Sequence, residues 1–227
     1  MTVARKGAKS CFFDDKIYAI GGCMNREEST NWGEVFDLKT QTWKPLPKPP
    51  LIDDDDDDKV AVFGEKLYFF SKSDARYAYD PKEGRWVPEF GFVGLEATSI
   101  TGPWCVIGNV MFAEYDKKLK WYNPKYKNWL RVYGLNQVLY SKRRYCHRTI
   151  QLVNHGGKLI IVWHEWVWMA RDCTSPDLKI WCAVIRLEER LTSRLGPQMW
   201  GEVERCNIVV PSVPTSYKLS TCQSISF

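Results

Sequence analysis

Three histidines and eight cysteines are the side chains in this 227-residue chain best suited to nucleophilic, acid–base or metal chemistry. Cys146 and His147 are neighbours, the combination that makes a thiol nucleophile with its base. In an extended strand successive side chains point to opposite faces. The two groups cannot meet there, and no catalysis is expected of them. His155 precedes Gly156-Gly157 and is expected to sit exposed and idle at a turn. The cysteines (Cys11, Cys23, Cys105, Cys146, Cys173, Cys182, Cys206 and Cys222) include no C-x-x-C pair, so zinc and redox motifs are unsupported. Asp53 to Asp58 hold six of the 27 acidic residues in one run. A plain aspartate run lacks the spaced ligands and glycine turn of a calcium loop, and a solvated loop is expected instead. Gly-rich phosphate loops and G-x-S-x-G elbows are absent. The residues therefore point away from an enzyme. No catalytic, cofactor-binding or metal-binding residue is assigned, and no cofactor is expected.

What remains is binding chemistry, which depends on the elements that present it. The chain is 44% hydrophobic and 26% charged, a globular balance, and its 11 Trp, 11 Tyr and 10 Phe suit rings packed between sheets. No apolar stretch is long enough to span a membrane as a helix. The first residues lack the apolar core of a signal peptide, so a cytoplasmic or nuclear protein with reduced, mostly buried thiols is expected. Net charge is +5 with Lys and Arg scattered, which favours neither nucleic acid nor membrane as a partner.

Internal repetition organises the chain. Phe36-Asp37 to Trp43, Tyr79-Asp80 to Trp86 and Tyr122-Asn123 to Trp129 align without gaps as aromatic, Asp or Asn, five residues, Trp. The three Trp residues are spaced 43 apart. Asp or Asn can cap a turn with its side chain and Pro presets φ, so each segment reads as strand, turn, strand. Upstream lies a second hairpin with the turn Asp14-Asp15, Gly64-Glu65 or Gly108-Asn109, and a fourth copy at Gly156-Gly157. Apolar strands follow: Lys16–Ile20, Lys66–Phe70, Val110–Ala113 and Lys158–Trp163. In this register Cys11, Ala61 and Cys105 share one position, a small apolar site on an inner strand, so the two thiols are expected to be structural. Four short strands per repeat make one propeller blade.

Ile17-Tyr18-Ala19-Ile20-Gly21-Gly22 resembles the strand and double glycine of the kelch motif, and the aromatic-Asp-x5-Trp tail completes it. Gly21 and Gly22 would allow positive φ and close backbone approach. Asn31-Trp32-Gly33-Glu34-Val35-Phe36-Asp37, Ile180-Trp181-Cys182-Ala183 and Val213-Pro214-Thr215-Ser216-Tyr217 are similar to the plant F-box/kelch-repeat proteins. That resemblance covers nearly the whole chain. It implies an all-β, kelch-type β-propeller of about four blades, each of four antiparallel strands, either a closed ring or an incomplete one. It also implies descent from a propeller that holds substrate for a cullin ubiquitin ligase, in a family whose F-box docks onto the ligase adaptor. The first blade begins almost at Met1 and no F-box is visible, so direct adaptor binding is not expected of this chain. Some kelch propellers are copper oxidases and some plant ones are iron-dependent; the scarcity of His and the lack of an E-x3-D-x3-H arrangement argue against both here.

The expected blades are 1–50, 56–90, 94–135 and 141–210 within one propeller domain, 1–227, with a terminal closing strand at 216–227. Gly21, Gly22, Trp43, Trp86, Trp129 and Trp200 are the structural repeat anchors. The fourth repeat is longer, with a loop from His164 to Asp177, an insertion from Glu188 to Gln198 and an outer strand from Gly201 to Val210. Propellers present partners with loops at one end. The candidate partner-binding residues are Arg26, Glu27, Glu28 and Trp32 on the first loop and Trp166, Trp168, Arg171 and Asp172 on the later one, since Trp and Arg dominate interface hot spots. For Trp32, Trp166 and Trp168, packing between blades is the competing role. The expected function is a non-enzymatic scaffold that binds an unidentified protein. A truncated remnant without stable function and a kelch-fold metalloenzyme are the alternatives.

Overall fold

The repeat chemistry shows its purpose in the strand ladders. The computed structural model describes residues 1–23, 31–50, 59–71, 76–89, 103–115, 118–123, 125–126, 128–135, 150–167, 177–192, 196–214 and 217. Among these there are strands and turns and no helix. Two compact units are present, 1–101 and 102–227.

The first unit holds two four-stranded antiparallel sheets. One comprises β1 (Lys9–Phe13), β2 (Lys16–Ile20), β3 (Gly33–Asp37) and β4 (Thr42–Leu46). The other comprises β5 (Lys59–Phe63), β6 (Lys66–Phe70), β7 (Arg76–Asp80) and β8 (Arg85–Pro88). The β1–β2 turn puts Asp14 and Asp15 at φ of 50° and 55°, the twist that a two-residue hairpin demands. Ladder register gives the repeat its spacing. Phe36 stands opposite Trp43 and Tyr79 opposite Trp86, with ring centroids 5.0 and 5.2 Å apart. Between them the acid caps the turn. Asp37 Oδ1 accepts from the Lys39 and Thr40 amides at 2.9 and 3.1 Å, and Asp80 Oδ1 from the Lys82 and Glu83 amides at 2.9 and 3.3 Å.

Alternation sends one face of the second sheet against the first. Leu67, Phe69, Tyr77, Tyr79 and Trp86 pack in one buried cluster with Tyr18, Ile20 and Leu46. Trp86 Nε1 donates to the Pro47 carbonyl at 2.7 Å, satisfying its polar atom. Each fully buried ring or aliphatic chain here contributes roughly 1.5–3 kcal/mol of transfer free energy. Cys11, Ala61 and Cys105 stand opposite Tyr18, Tyr68 and Phe112, one position in three ladders. Cys11 and Ala61 belong to this unit and Cys105 to the other.

The second unit is one eight-stranded sheet. Its strands are β9 (Trp104–Ile107), β10 (Val110–Tyr115), β11 (Lys118–Asn123), β12 (Asn128–Tyr133), β13 (Ile150–His155), β14 (Lys158–Val167), β15 (Asp177–Thr192) and β16 (Gly196–Val213). Their order is β13-β14-β15-β16-β12-β11-β10-β9. Tyr122 and Trp129 repeat the aromatic pair at 5.4 Å, and Asn123 Oδ1 caps the Lys125 and Tyr126 amides. The two antiparallel sets enclose a core that includes Phe112, Leu119, Trp121, Leu159, Ile161 and Ile185. Asn154 Nδ2 donates to the Val106 carbonyl at 3.0 Å, tying β13 to β9. The protein is thus all-β, built from four-stranded blades of the kelch propeller type.

The fourth repeat departs from expectation in two places. β14 runs on through His164, Glu165 and Trp166 to Val167, so the expected loop does not begin at His164. Both His164 and Glu165 are buried in the strand, which a polar sequence does not advertise. The expected insertion from Glu188 to Gln198 is instead a β-ribbon, with Glu188 opposite Trp200 and Thr192 opposite Gly196. Its charged residues lie on a solvent face, where strand formation needs no apolar alternation. From Gly201 to Val210 β16 pairs with β15 alone among the described strands, in keeping with the expected outer strand. β16 enters the sheet between β15 and β12, with Met199 and Trp200 parallel to Val132 and Tyr133. The expected closing strand, 216–227, lies outside the described residues except for Tyr217.

Candidate functional site

The expected loop residues are divided by the structure. Arg26, Glu27, Glu28, Trp168, Arg171 and Asp172 lie outside the described residues. Trp32 is corrected: it is only 4% exposed and sits edge-on to Phe69 and Trp86, at 5.2 and 5.9 Å. It is a core residue with no face to offer a partner. Trp166 is half-buried in β14 opposite Leu178, within a strand.

Around the double glycine the structure builds a rigid knot. Gly21 and Gly22 have φ of 68° and 70°. A Cβ on Gly22 would lie 2.6 Å from the Lys6 carbonyl oxygen, so only glycine fits against the incoming chain. Arg5 is threaded beside it. Its guanidinium donates to the carbonyls of Gly21, Asn31 and Trp32 at 2.8 to 2.9 Å and pairs with Glu34 at 3.1 Å. Both side chains are 1% exposed. Thr2 donates to Glu34 through its amide, at 2.8 Å, and through its hydroxyl. Burial alone would raise the Glu34 pKa, but the bonds from Thr2 and Arg5 outweigh it and hold the carboxyl below the usual range. All donors are consumed internally, so this is a structural clasp.

Cys11 and Cys105 are not poised as nucleophiles. Burial pushes the thiols of Cys11 and Cys105 up to about 12, the opposite of an activated nucleophile. His164 faces Ile180 inside the sheet, and His155 ends β13 on the surface.

A more accessible arrangement lies on the β15–β16 ribbon beside β12. Alternation places Arg186, Glu188 and Arg190 on one face of β15, opposite Glu202, Trp200 and Gln198 of β16. The parallel ladder brings Tyr133 beside Trp200, stacked at 5.4 Å and 29°. The Arg190 guanidinium lies 4.9 Å over the Trp200 ring and that of Arg131 5.9 Å over Tyr133. Four side chains therefore form an Arg–Trp–Tyr–Arg stack. Arg186 pairs with Glu202 and Arg190 with Glu188, holding the charged side chains upright around it.

Next to the stack the β12–β16 ladder has its last pair at Tyr133 and Trp200, and Gly134 follows with a φ of 87°. A Cβ there would lie 2.3 Å from the Gly201 carbonyl oxygen. Beside it lies a cleft of about 590 Å³ lined by Gly134, Arg186, Arg190, Trp200, Glu202 and Val203 among others. One tryptophan, two arginines and two glutamates are among its lining residues, and Trp and Arg are the types enriched in interface hot spots. Trp200, expected as a fourth repeat anchor, therefore differs from the other three. Across its own hairpin it faces Glu188, its aromatic partner Tyr133 comes from β12 instead, and its ring lines a cleft. Sequence reasoning missed Arg186, Glu188, Arg190 and Glu202. The signal was their period-2 spacing, which a charge-rich segment disguised.

Residues 1–210 match the family described as the FKB95 kelch-repeats domain. An F-box/kelch-repeat protein of Arabidopsis thaliana is 55% identical over 234 residues, covering 100% of this chain and 59% of its own length. Two others from the same plant are 35% and 37% identical, covering 96% and 100% of this chain and 56% of their own lengths. The chain thus spans less than two thirds of the curated relatives it matches. The solved structure of YjhT is similar at a TM-score of 0.46 and 13% identity, over 80% of this chain and 73% of that one. With its Trp-anchored blades and a match across residues 1–210, the chain belongs to the FKB95 kelch-repeats family, alongside the plant F-box/kelch-repeat proteins.

Proposed function

We propose that the chain is a protein-binding scaffold, the part of a ubiquitin-ligase receptor that holds the substrate, and that the Trp200 cleft is where it does so. The observation that carries this is the exposed Arg–Trp–Tyr–Arg stack beside an open cleft, on a rigid ribbon. Kelch relatives named for an F-box support the ligase context. The scaffold acts by holding, not by chemistry: the stack supplies area and cation–π contacts at low entropic cost.

Affinity purification from Arabidopsis extract with wild type and Trp200→Ala tests it. A discrete set of proteins is expected with wild type and lost with the variant, at unchanged melting temperature. An identical set from both would refute the cleft. Stoichiometric copper or iron in the purified protein would refute the non-enzymatic reading.

A further inference from the structure

One row of side chains crosses the first sheet from β1 to β4. Ladder register sets Phe12 opposite Ile17, Ile17 opposite Phe36 and Phe36 opposite Trp43. Residues opposite one another share a face of the sheet. The second sheet carries the same row one repeat on, as Val62, Leu67, Tyr79 and Trp86. There the row is closed. It packs with Cys11, Tyr18 and Val35 on the other face of the first sheet, and Trp86 Nε1 donates to the Pro47 carbonyl. In the first sheet the row is open. Phe12 and Ile17 are 61% and 37% exposed, whereas Leu67 is 0%. Phe36 and Trp43 are half-buried, whereas Tyr79 and Trp86 are buried. Trp43 Nε1 has no acceptor among the described residues.

A contiguous apolar row on a sheet face marks an interaction surface, where single exposed side chains would not. The clasp bounds it at one end. Ala19 and Glu34 continue the same face and are buried, Glu34 beneath Thr2 and Arg5. The closed row shows what fits the open one. It is a blade face with a small residue, an aromatic ring and an aliphatic side chain on successive strands, as at Cys11, Tyr18 and Val35, and a carbonyl placed like that of Pro47 to take the indole N–H. A second copy of this chain has no such face to spare. Tyr18, Ala78, Phe112 and Val162 lie on the four faces of that kind, one in each repeat, and all four residues are buried.

We infer that the row of Phe12, Ile17, Phe36 and Trp43 docks a blade of a different kelch-repeat chain. The partner's blade covers the row as the first sheet covers Leu67, Tyr79 and Trp86, and one of its carbonyls accepts from Trp43 Nε1. The surface belongs to the first unit and the Trp200 cleft to the second, so neither reading rests on the other.

The full chain carrying benzoylphenylalanine in place of Phe12 is irradiated in Arabidopsis extract, and the crosslinked peptides are sequenced. The expected adduct is a peptide from a kelch repeat of another chain, joined at a residue on the face aligned with Cys11, Tyr18 and Val35. Ile17→Lys should cut its yield at least tenfold with the melt unchanged, because Ile17 is partly exposed and stands opposite position 12. Trp43→Phe keeps a ring and loses the N–H, and should cut the yield roughly fivefold, the scale of one neutral hydrogen bond. Trp200→Ala should leave the adduct unchanged, which separates this surface from the cleft. Adducts within this chain or to a second copy of it overturn the inference. So do adducts only to proteins without kelch repeats, a yield that ignores both Ile17→Lys and Trp43→Phe, and the absence of any adduct.

Discussion

Replacing Arg5 by alanine should cost the first unit more than any surface change, because of what it leaves behind. Arg5 is 1% exposed and makes hydrogen bonds to three carbonyls, the Cys23 sulfur and the Glu34 carboxylate. Its loss strands a buried Glu34 with only the Thr2 donors. Removing one partner of a buried pair costs about 3–5 kcal/mol. Glu34→Gln keeps neutral hydrogen bonding and should cost about 1–3 kcal/mol. Pairing Arg5→Met with Glu34→Leu removes both charges and should cost less than the sum of the single changes. The pH dependence has a definite sign. Glu34 is held below its ordinary pKa in the folded state, so its contribution is present at neutral pH. It is lost as pH falls below the ordinary carboxylate range and through the folded value, and Glu34→Gln should lack that loss. Urea unfolding monitored by Trp fluorescence reports it, since Trp32 packs beside the clasp and Trp86 beside Trp32. A loss below about 1 kcal/mol for Arg5→Ala would refute the reasoning, since a solvated ion pair costs no more than that.

Two further outcomes follow from local geometry. Gly134→Ala meets both a positive φ and a backbone oxygen at 2.3 Å, so it should destabilise the second unit by roughly 2 kcal/mol or more and weaken partner capture by moving β12; urea titration and the affinity purification check it. Among the described cysteines, alkylation by iodoacetamide at neutral pH should reach exposed Cys206 before Cys11 and Cys105, until denaturant is added; peptide mass spectrometry reads the order.

Much of the fold was legible because its signals are local. A capping Asp, a Trp seven residues after an aromatic and a two-residue turn each describe one hairpin, and Phe36 and Trp43 or Tyr79 and Trp86 meet across it. The double glycine was legible for the same reason, although its cause, the passage of Lys6 beside Gly22, is not. For Trp32 the sequence left packing between blades and partner contact open, because its burial depends on Phe69 and Trp86 of another sheet, a contact no local pattern decides. The ribbon was missed because Glu188, Arg190 and Glu202 face solvent, where charge is compatible with strand and loop alike. Nothing in β12 or β16 alone announces that they run parallel for two residues, or that a cleft lies beside that pairing.

Photo-crosslinking from the ribbon tests most directly whether partners sit in the Trp200 cleft. A photoreactive residue is placed at Glu202, which lines the cleft, or at Glu83, an exposed turn residue of the first unit. Discrete adducts with extract proteins from position 202, and none from position 83, are predicted. Equal adducts from both positions, or none from position 202, would contradict it.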